Sequence, residues 1–175
     1  FISDGWEYEC MRGIGRIAFP IFAFLIAEGY RHTRRKWNYG CHLLIFAFIS
    51  EIPWMLLHTD GSHNVLFTLL AGLCCIAILD KLENHKILPL LVVLVIALAT
   101  SVLNTDYGIQ GVALVLMFYL FKDKPLLQLL FALPLFYDFH PLGILASLGM
   151  ISLYNGERGF IKGAYSKYLF YAFYP

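Results

Sequence analysis

Leu88-Pro89-Leu90-Leu91-Val92-Val93-Leu94-Val95-Ile96-Ala97-Leu98-Ala99-Thr100 runs without a charge and without alternation. A membrane β-strand alternates apolar and polar residues, so a run that is apolar on both faces is not a barrel strand. Only helices and closed barrels satisfy their own backbone hydrogen bonds in lipid, which leaves the helix. Outward from it, similar runs occupy Gly13–Tyr30, Cys41–Leu57, Val65–Leu79, Ile87–Leu103, Gly108–Phe121, Pro125–Tyr137 and Leu142–Tyr154, with a shorter one at Tyr168–Pro175. A span takes about 20 apolar residues. Several of these runs are shorter, which favours little tilt or a locally thinned bilayer. The sequence predicts an all-α, polytopic transmembrane helix bundle of about seven to eight spans, as one integral membrane domain over residues 1–175. Pro20, Pro53, Pro89 and Pro134 lie in or near the runs and predict kinks. There is no internal repeat and no linker.

Composition agrees. The chain is 59% hydrophobic and 14% charged, with mean hydropathy +0.68. A soluble domain carries roughly 25% charged residues. No basic stripe suggests nucleic acid. The four cysteines have neither disulfide-framework nor metal-ligand spacing and read as small apolar residues, so no metal is expected. The chain opens on Phe1 and closes on a hydrophobic run too short to span, so both ends read as cut.

The loops between the runs alternate in charge. One set holds Arg31, Arg34, Arg35 and Lys36, then Lys81 and Lys86, then Lys122 and Lys124, then Arg158, Lys162 and Lys167. The other set, His58–Asn64, Asn104–Gln110 and Asp138–Pro141, holds no Lys or Arg. Of 13 basic residues only Arg12 and Arg16 fall on the second side. This is a positive-inside pattern, and it puts the basic loops in the cytoplasm.

A charge inside a span is costly and invites a functional reading. Arg16 and Glu51 lie near the outer ends of neighbouring antiparallel runs. They read either as a structural ion pair or as a pocket pair for an anionic or carbonyl group. Glu28, at the inner end, is expected to pair with Arg31, Arg34 or Arg35, or to shape a cytoplasmic entrance. The basic patch Arg31–Lys36 reads as a topogenic signal in contact with anionic lipid, or as an attractor for a phosphorylated donor such as a coenzyme A thioester. The outward loops hold His58, Asp60, His63, Asn64, Asp106, Asp138 and His140. A His beside a carboxylate is the usual general-base arrangement, although wet loops also collect both residue types.

Several blocks resemble the TraX family. They are Arg16-Ile17-Ala18-Phe19-Pro20 through Ala27-Glu28-Gly29-Tyr30 with Thr33 and Arg34, Ser50-Glu51-Ile52-Pro53, and Asn64-Val65-Leu66-Phe67-Thr68 through Gly72. Asp106-Tyr107-Gly108 with Gly111-Val112, Tyr154-Asn155-Gly156-Glu157-Arg158-Gly159 and Lys167–Pro175 are similar to later family blocks. The resemblance runs in order over nearly the whole chain. It implies a bacterial cytoplasmic (inner) membrane protein that acetylates pilin at its amino terminus, with acetyl-coenzyme A as donor. It marks Arg16, Glu28, Glu51, Asn64, Thr68, Asp106, Tyr107, Asn155 and Arg158 as family-pattern positions without assigning roles. The family also carries an Asp-His pair on a helix before this start and a His after the final Tyr-Pro.

These readings combine into an acyltransferase acting on a peptide or glycan acceptor. His63 is the expected base, oriented by Asp106 or Asp60, with Glu51 in the catalytic set. Arg16, Asn64 and Thr68 are expected to line the oxyanion, and Glu28, Tyr107, Asn155 and Arg158 to contact donor or acceptor. The rival is a non-catalytic assembly factor or a small transporter. A transporter favours repeats and midplane charges, and the sequence offers neither.

Overall fold

The computed structural model describes residues 6–58, 60–135 and 141–154, with side chains from residue 17 onward and, in the last stretch, from residue 143. The described residues form seven helices: α1 (Trp6–His32), α2 (Lys36–Leu57), α3 (Val65–Lys81), α4 (Leu88–Val102), α5 (Gly108–Leu120), α6 (Pro125–Leu135) and α7 (Pro141–Ser152). Each predicted run up to Tyr154 corresponds to one helix. The run at Tyr168–Pro175 lies outside the described residues.

Helix ends follow local chemistry. The Asn64 side chain accepts a hydrogen bond from the Leu66 amide and so caps α3. Pro125 and Pro141 open α6 and α7, and Pro89 sits in the first turn of α4, where a missing N–H costs no helical bond. Pro20, Pro53 and Pro134 lie inside continuous helices.

α1, α3 and α5 pack on one another at the centre. α2 leans on α3, α4 on α3 and α5, α6 on α5, and α7 on α1 and α6. The core holds Phe19, Ile26, Leu43, Leu69, Ile76, Leu114 and Phe118. Small residues set the closest approaches. A Cβ at Gly72 would stand 2.8 Å from Cβ of Val115 on α5. A Cβ at Gly111 would stand 2.5 Å from Cγ2 of Thr68 on α3.

By length and composition, one described helix, Lys36–Leu57, is able to cross a membrane alone. The all-α bundle expected from the sequence is present among the described residues, and the other described helices do not meet that length and composition on their own. α4 has 15 residues and α6 has 11. At about 1.5 Å per residue, 15 residues reach roughly 22 Å, against a hydrocarbon core of about 30 Å.

The described loops of the two sets gather at opposite ends of the bundle. Arg31, Lys36 and Lys122 meet Glu28 and Asp80 at one end. The loops α2–α3 and α4–α5 are joined at the other, where the His63 amide donates to the Asn104 carbonyl (3.0 Å) and the Asp106 amide to the His63 carbonyl (2.9 Å).

Candidate active site at the non-basic end

The site is built where the α2–α3 loop turns into α3. Glu51 lies on the inward face of α2 with Leu43, Ala47 and Ser50. That face is one helical stripe, spaced by three and four residues. Its carboxylate meets the loop twice. Oε1 lies 2.5 Å from His63 Nδ1. Oε2 accepts from the Asn64 amide (3.1 Å) and from Asn64 Nδ2 (2.6 Å). Asn64 is fully buried, and Nδ2 also donates to the Ala47 carbonyl at 2.8 Å. With Oδ1 on the Leu66 amide, every polar atom of the Asn64 side chain is engaged.

This network sets the chemistry of His63. A carboxylate accepts, so the Nδ1 proton is the one donated, and the neutral ring keeps its lone pair on Nε2. The His63 side chain is 45% exposed, against 12% for Glu51. A buried carboxylate thus orients a half-exposed imidazole. The ring is also set edge-on to Phe67, with centroids 5.8 Å apart.

The orienting carboxylate differs from the expectation. Asp60 is turned to its own loop, accepting from the Ser62 amide (3.0 Å) and hydroxyl (2.7 Å). The Ser62 hydroxyl and amide hold its carboxyl below the usual carboxylate range. Asp106 meets His63 through its backbone rather than its side chain. Burial pushes the Asp106 carboxyl up to about 6, against the Tyr107 amide and the charge of His58, which act downward. Glu51 takes that place because α2 carries its carboxylate beneath the loop, while Asp60 is engaged by Ser62 and Asp106 meets His63 through its backbone amide.

Thr68 supports the floor. Its hydroxyl contacts Thr105 Oγ1 (2.9 Å) and the Asp106 carbonyl, tying α3 to the α4–α5 loop. Tyr107 caps α5 with φ 61° and stacks on Phe19 of α1, centroids 3.8 Å apart. The left-handed region is uncommon for a bulky residue. Trp54 Nε1 donates to the Ser62 carbonyl (2.9 Å), and its ring stacks on His58 (3.9 Å).

Ser50 is the described residue with a buried side-chain polar atom that lacks a partner: its Oγ makes no hydrogen bond. It sits one residue before Glu51 and is 2% exposed. Sequence reasoning named Ser50 only within a family block and gave no role to Ser62 or Thr105. The Asp60-Gly61-Ser62 turn signal was visible for Ser62; nothing marked Thr105.

The remaining candidates divide. Glu28 lies at the opposite end, bonded to Arg31 (3.0 Å) and His32 (2.9 Å), with Lys122 at 3.7 Å. Arg31 also donates to the Phe118 (3.2 Å) and Tyr119 carbonyls at the end of α5. Asn64 and Thr68 are occupied in holding the site together, which differs from the expected oxyanion lining. The Arg16 side chain, Asp138, His140, Asn155 and Arg158 lie outside the described residues. Among the described residues, no group of three His, Cys, Asp or Glu side chains is arranged to hold a metal ion.

Comparison with known proteins gives two findings. The profile of the TraX protein family matches residues 3–175. A relative described as probable fimbrial assembly protein FimC, serogroup H1, from Dichelobacter nodosus is 31% identical over 207 aligned positions, covering 100% of this chain and 83% of that protein. No solved structure matches.

Proposed function

The chain belongs to the TraX family, and from that premise we propose that it is a membrane-embedded acyltransferase acting in pilus biogenesis. The Glu51–His63 pair carries this reading: a buried carboxylate orienting a half-exposed imidazole with its second nitrogen free is a general base in waiting.

Two observations support the membrane. Only 17% of the apolar window of α2 is buried inside the bundle, where the core helix of a soluble protein would be mostly buried. Ile45, Phe48, Ile52 and Met55 on α2, and Leu90, Leu94 and Val95 on α4, stand exposed. Monomeric soluble proteins rarely expose contiguous apolar faces on that scale. The short helices then lie within a bundle that thins the bilayer around it. The basic end faces the cytoplasm by the positive-inside rule, and the Glu51–His63 end faces out.

The donor is acetyl-coenzyme A, whose phosphates are drawn to the basic end and whose acyl-bearing arm has to pass between the helices to reach His63 at the opposite end. The acceptor is an amine or hydroxyl of a pilin-like peptide or an envelope glycan. His63 Nε2 takes the acceptor proton as the acceptor attacks the thioester carbonyl carbon. The tetrahedral oxyanion then collapses, the carbon–sulfur bond breaks, and the proton held by His63 passes to the departing thiolate. Glu51 holds the imidazole and stabilises the imidazolium, and Asn64 holds Glu51.

The second reading is a non-catalytic pilus assembly factor, favoured by the description of the Dichelobacter relative. The deciding experiment incubates the full-length protein in nanodiscs with radiolabelled acetyl-coenzyme A and membrane lysate. Label on one acceptor class, lost in Glu51→Gln and His63→Ala, supports the enzyme. Absence of label, with pilus formation still dependent on the protein, supports the assembly factor.

A further inference from the structure

A cavity of about 790 Å³ opens between α1, α6 and α7 at the basic end, remote from the Glu51–His63 pair. Its walls are apolar: Phe24 of α1, Leu129 of α6, and Leu145 and Leu148 of α7. The same helices carry exposed Leu126, Leu130 and Met150, so the lining continues onto an apolar flank. The mouth is polar and holds Glu28, His32, Lys122 and Asp123.

The charges at this mouth are unevenly spent. Glu28 is taken by Arg31 and His32. Lys122 Nζ stands 3.7 Å from Glu28 Oε1, beyond hydrogen-bonding distance, so its donors remain available. The Lys122 side chain is 45% exposed. Among the described residues no cation pairs with Asp123. The mouth therefore offers a cation with available donors, Lys122, next to a carboxylate without a cation, Asp123. An anion alone would meet Asp123, and a cation alone would meet Lys122. A headgroup carrying both signs on a short spacer fits both, and an apolar slot behind it fits an acyl chain.

We propose that this cavity seats one molecule of a zwitterionic phospholipid. Its phosphate lies on Lys122, its ammonium on Asp123, and an acyl chain along Phe24 and Leu148. The inference rests on the membrane-embedded reading above, and it needs no turnover to be measured.

The test is lipid retention by the full-length protein. The protein is extracted in mild detergent, offered equal phosphatidylethanolamine and phosphatidylglycerol, and examined by native mass spectrometry. One phosphatidylethanolamine should be retained in preference to phosphatidylglycerol. Lys122→Glu and Asp123→Asn should each weaken retention by up to about tenfold, and Leu148→Trp, which fills the slot, should abolish it. Lys86→Glu, on a different basic loop, should change nothing. Asp123 is exposed, so its variant keeps the test intact if Leu148→Trp misfolds. Equal retention of phosphatidylglycerol, retention unchanged in Asp123→Asn, or displacement of the lipid by acetyl-coenzyme A would overturn the proposal. The last result would make the cavity the donor port instead. Selective lipid retention without acyl transfer would remove the enzyme reading and leave this one standing.

Discussion

Glu51 Oε1 lies 2.5 Å from His63 Nδ1, joining a helix face to a loop across 12 residues of chain. The bond fixes the ring and leaves Nε2 free. If that nitrogen is the base, Glu51→Gln lets the ring turn and take the other tautomer. Acyl transfer should then fall by about 10²–10⁴-fold, with the protein still folded. Transfer rates and far-ultraviolet circular dichroism on the same preparations check this. An unchanged rate in Glu51→Gln would end the dyad mechanism.

Asn64 is expected to matter for stability as well as for the dyad. It caps α3 and gives three hydrogen bonds to buried acceptors on α2. Asn64→Ala removes the side-chain bonds and leaves the Ala47 carbonyl and part of the Glu51 carboxylate unsatisfied. A loss of about 1–3 kcal/mol is expected, read from thermal unfolding in detergent. Asn64→Asp should be worse, because it sets a second carboxylate against Glu51.

Asp106 predicts a pH dependence. Its carboxyl is pushed from 3.8 to about 6 by burial. The folded state then binds more protons than the unfolded state between those values, so stability falls as pH rises through that window. The stabilisation is complete below the lower value and lost above the upper one. Unfolding midpoints measured across this range should decline in the wild type. Asp106→Asn should remove that part of the decline, an effect on the order of 3 kcal/mol. Parallel curves for the two proteins would show that Asp106 does not carry it.

Ser50 gives a prediction of opposite sign for stability and activity. Its Oγ is buried without a partner, and an unsatisfied buried hydroxyl costs about 1–3 kcal/mol. Ser50→Ala should therefore leave the unfolding temperature unchanged or raise it. If the hydroxyl serves a bound carbonyl oxygen, acyl transfer should drop by about 10–10³-fold in the same variant. Equal activity with raised stability would make Ser50 a structural residue.

Much of the helical order was legible because each apolar run is bounded by Gly, Pro, Asn or a cluster of charges. The pairing of loops at each end followed from charge alternation alone. What stayed hidden is set by depth rather than by sequence distance. His63 has acidic neighbours in its own loop and across the end of the bundle, yet its partner is Glu51, which α2 carries directly beneath. Periodicity does place Glu51 on the stripe of Ala47 and Ser50, but it does not say which loop residue comes to rest on that stripe. Asn64 was visible as a polar residue opening a run. Its role as a clamp depends on α2 and α3 packing closely enough to bring the Ala47 carbonyl within 2.8 Å. An apolar run of 11 or 13 residues reads like a full span in one dimension, whereas its length as a helix falls short of the hydrocarbon.

Gly111 tests whether close helix approach underlies the site. A Cβ there would lie 2.5 Å from Thr68 Cγ2 and 2.9 Å from Phe19 Cζ. Both contacts are too short to persist, and Thr68 and Phe19 are buried, so α5 must move away from α1 and α3. That shift strains the Thr68 bond to the Asp106 carbonyl and the Tyr107 stack on Phe19. Gly111→Ala should cost about 1–3 kcal/mol, the range for overpacking a close-packed core. It should also slow transfer, since the α4–α5 loop that pairs with His63 moves with α5. Gly149→Ala is the comparison, because nothing lies within 4 Å of a Cβ at that position. Its helical setting predicts a small gain of a few tenths to about 1 kcal/mol. Unfolding temperatures that fall in Gly111→Ala but hold or rise in Gly149→Ala would confirm that α5 is held in place by the absence of a side chain at Gly111. Equal effects at the two sites would show that α5 yields without disturbing the bundle.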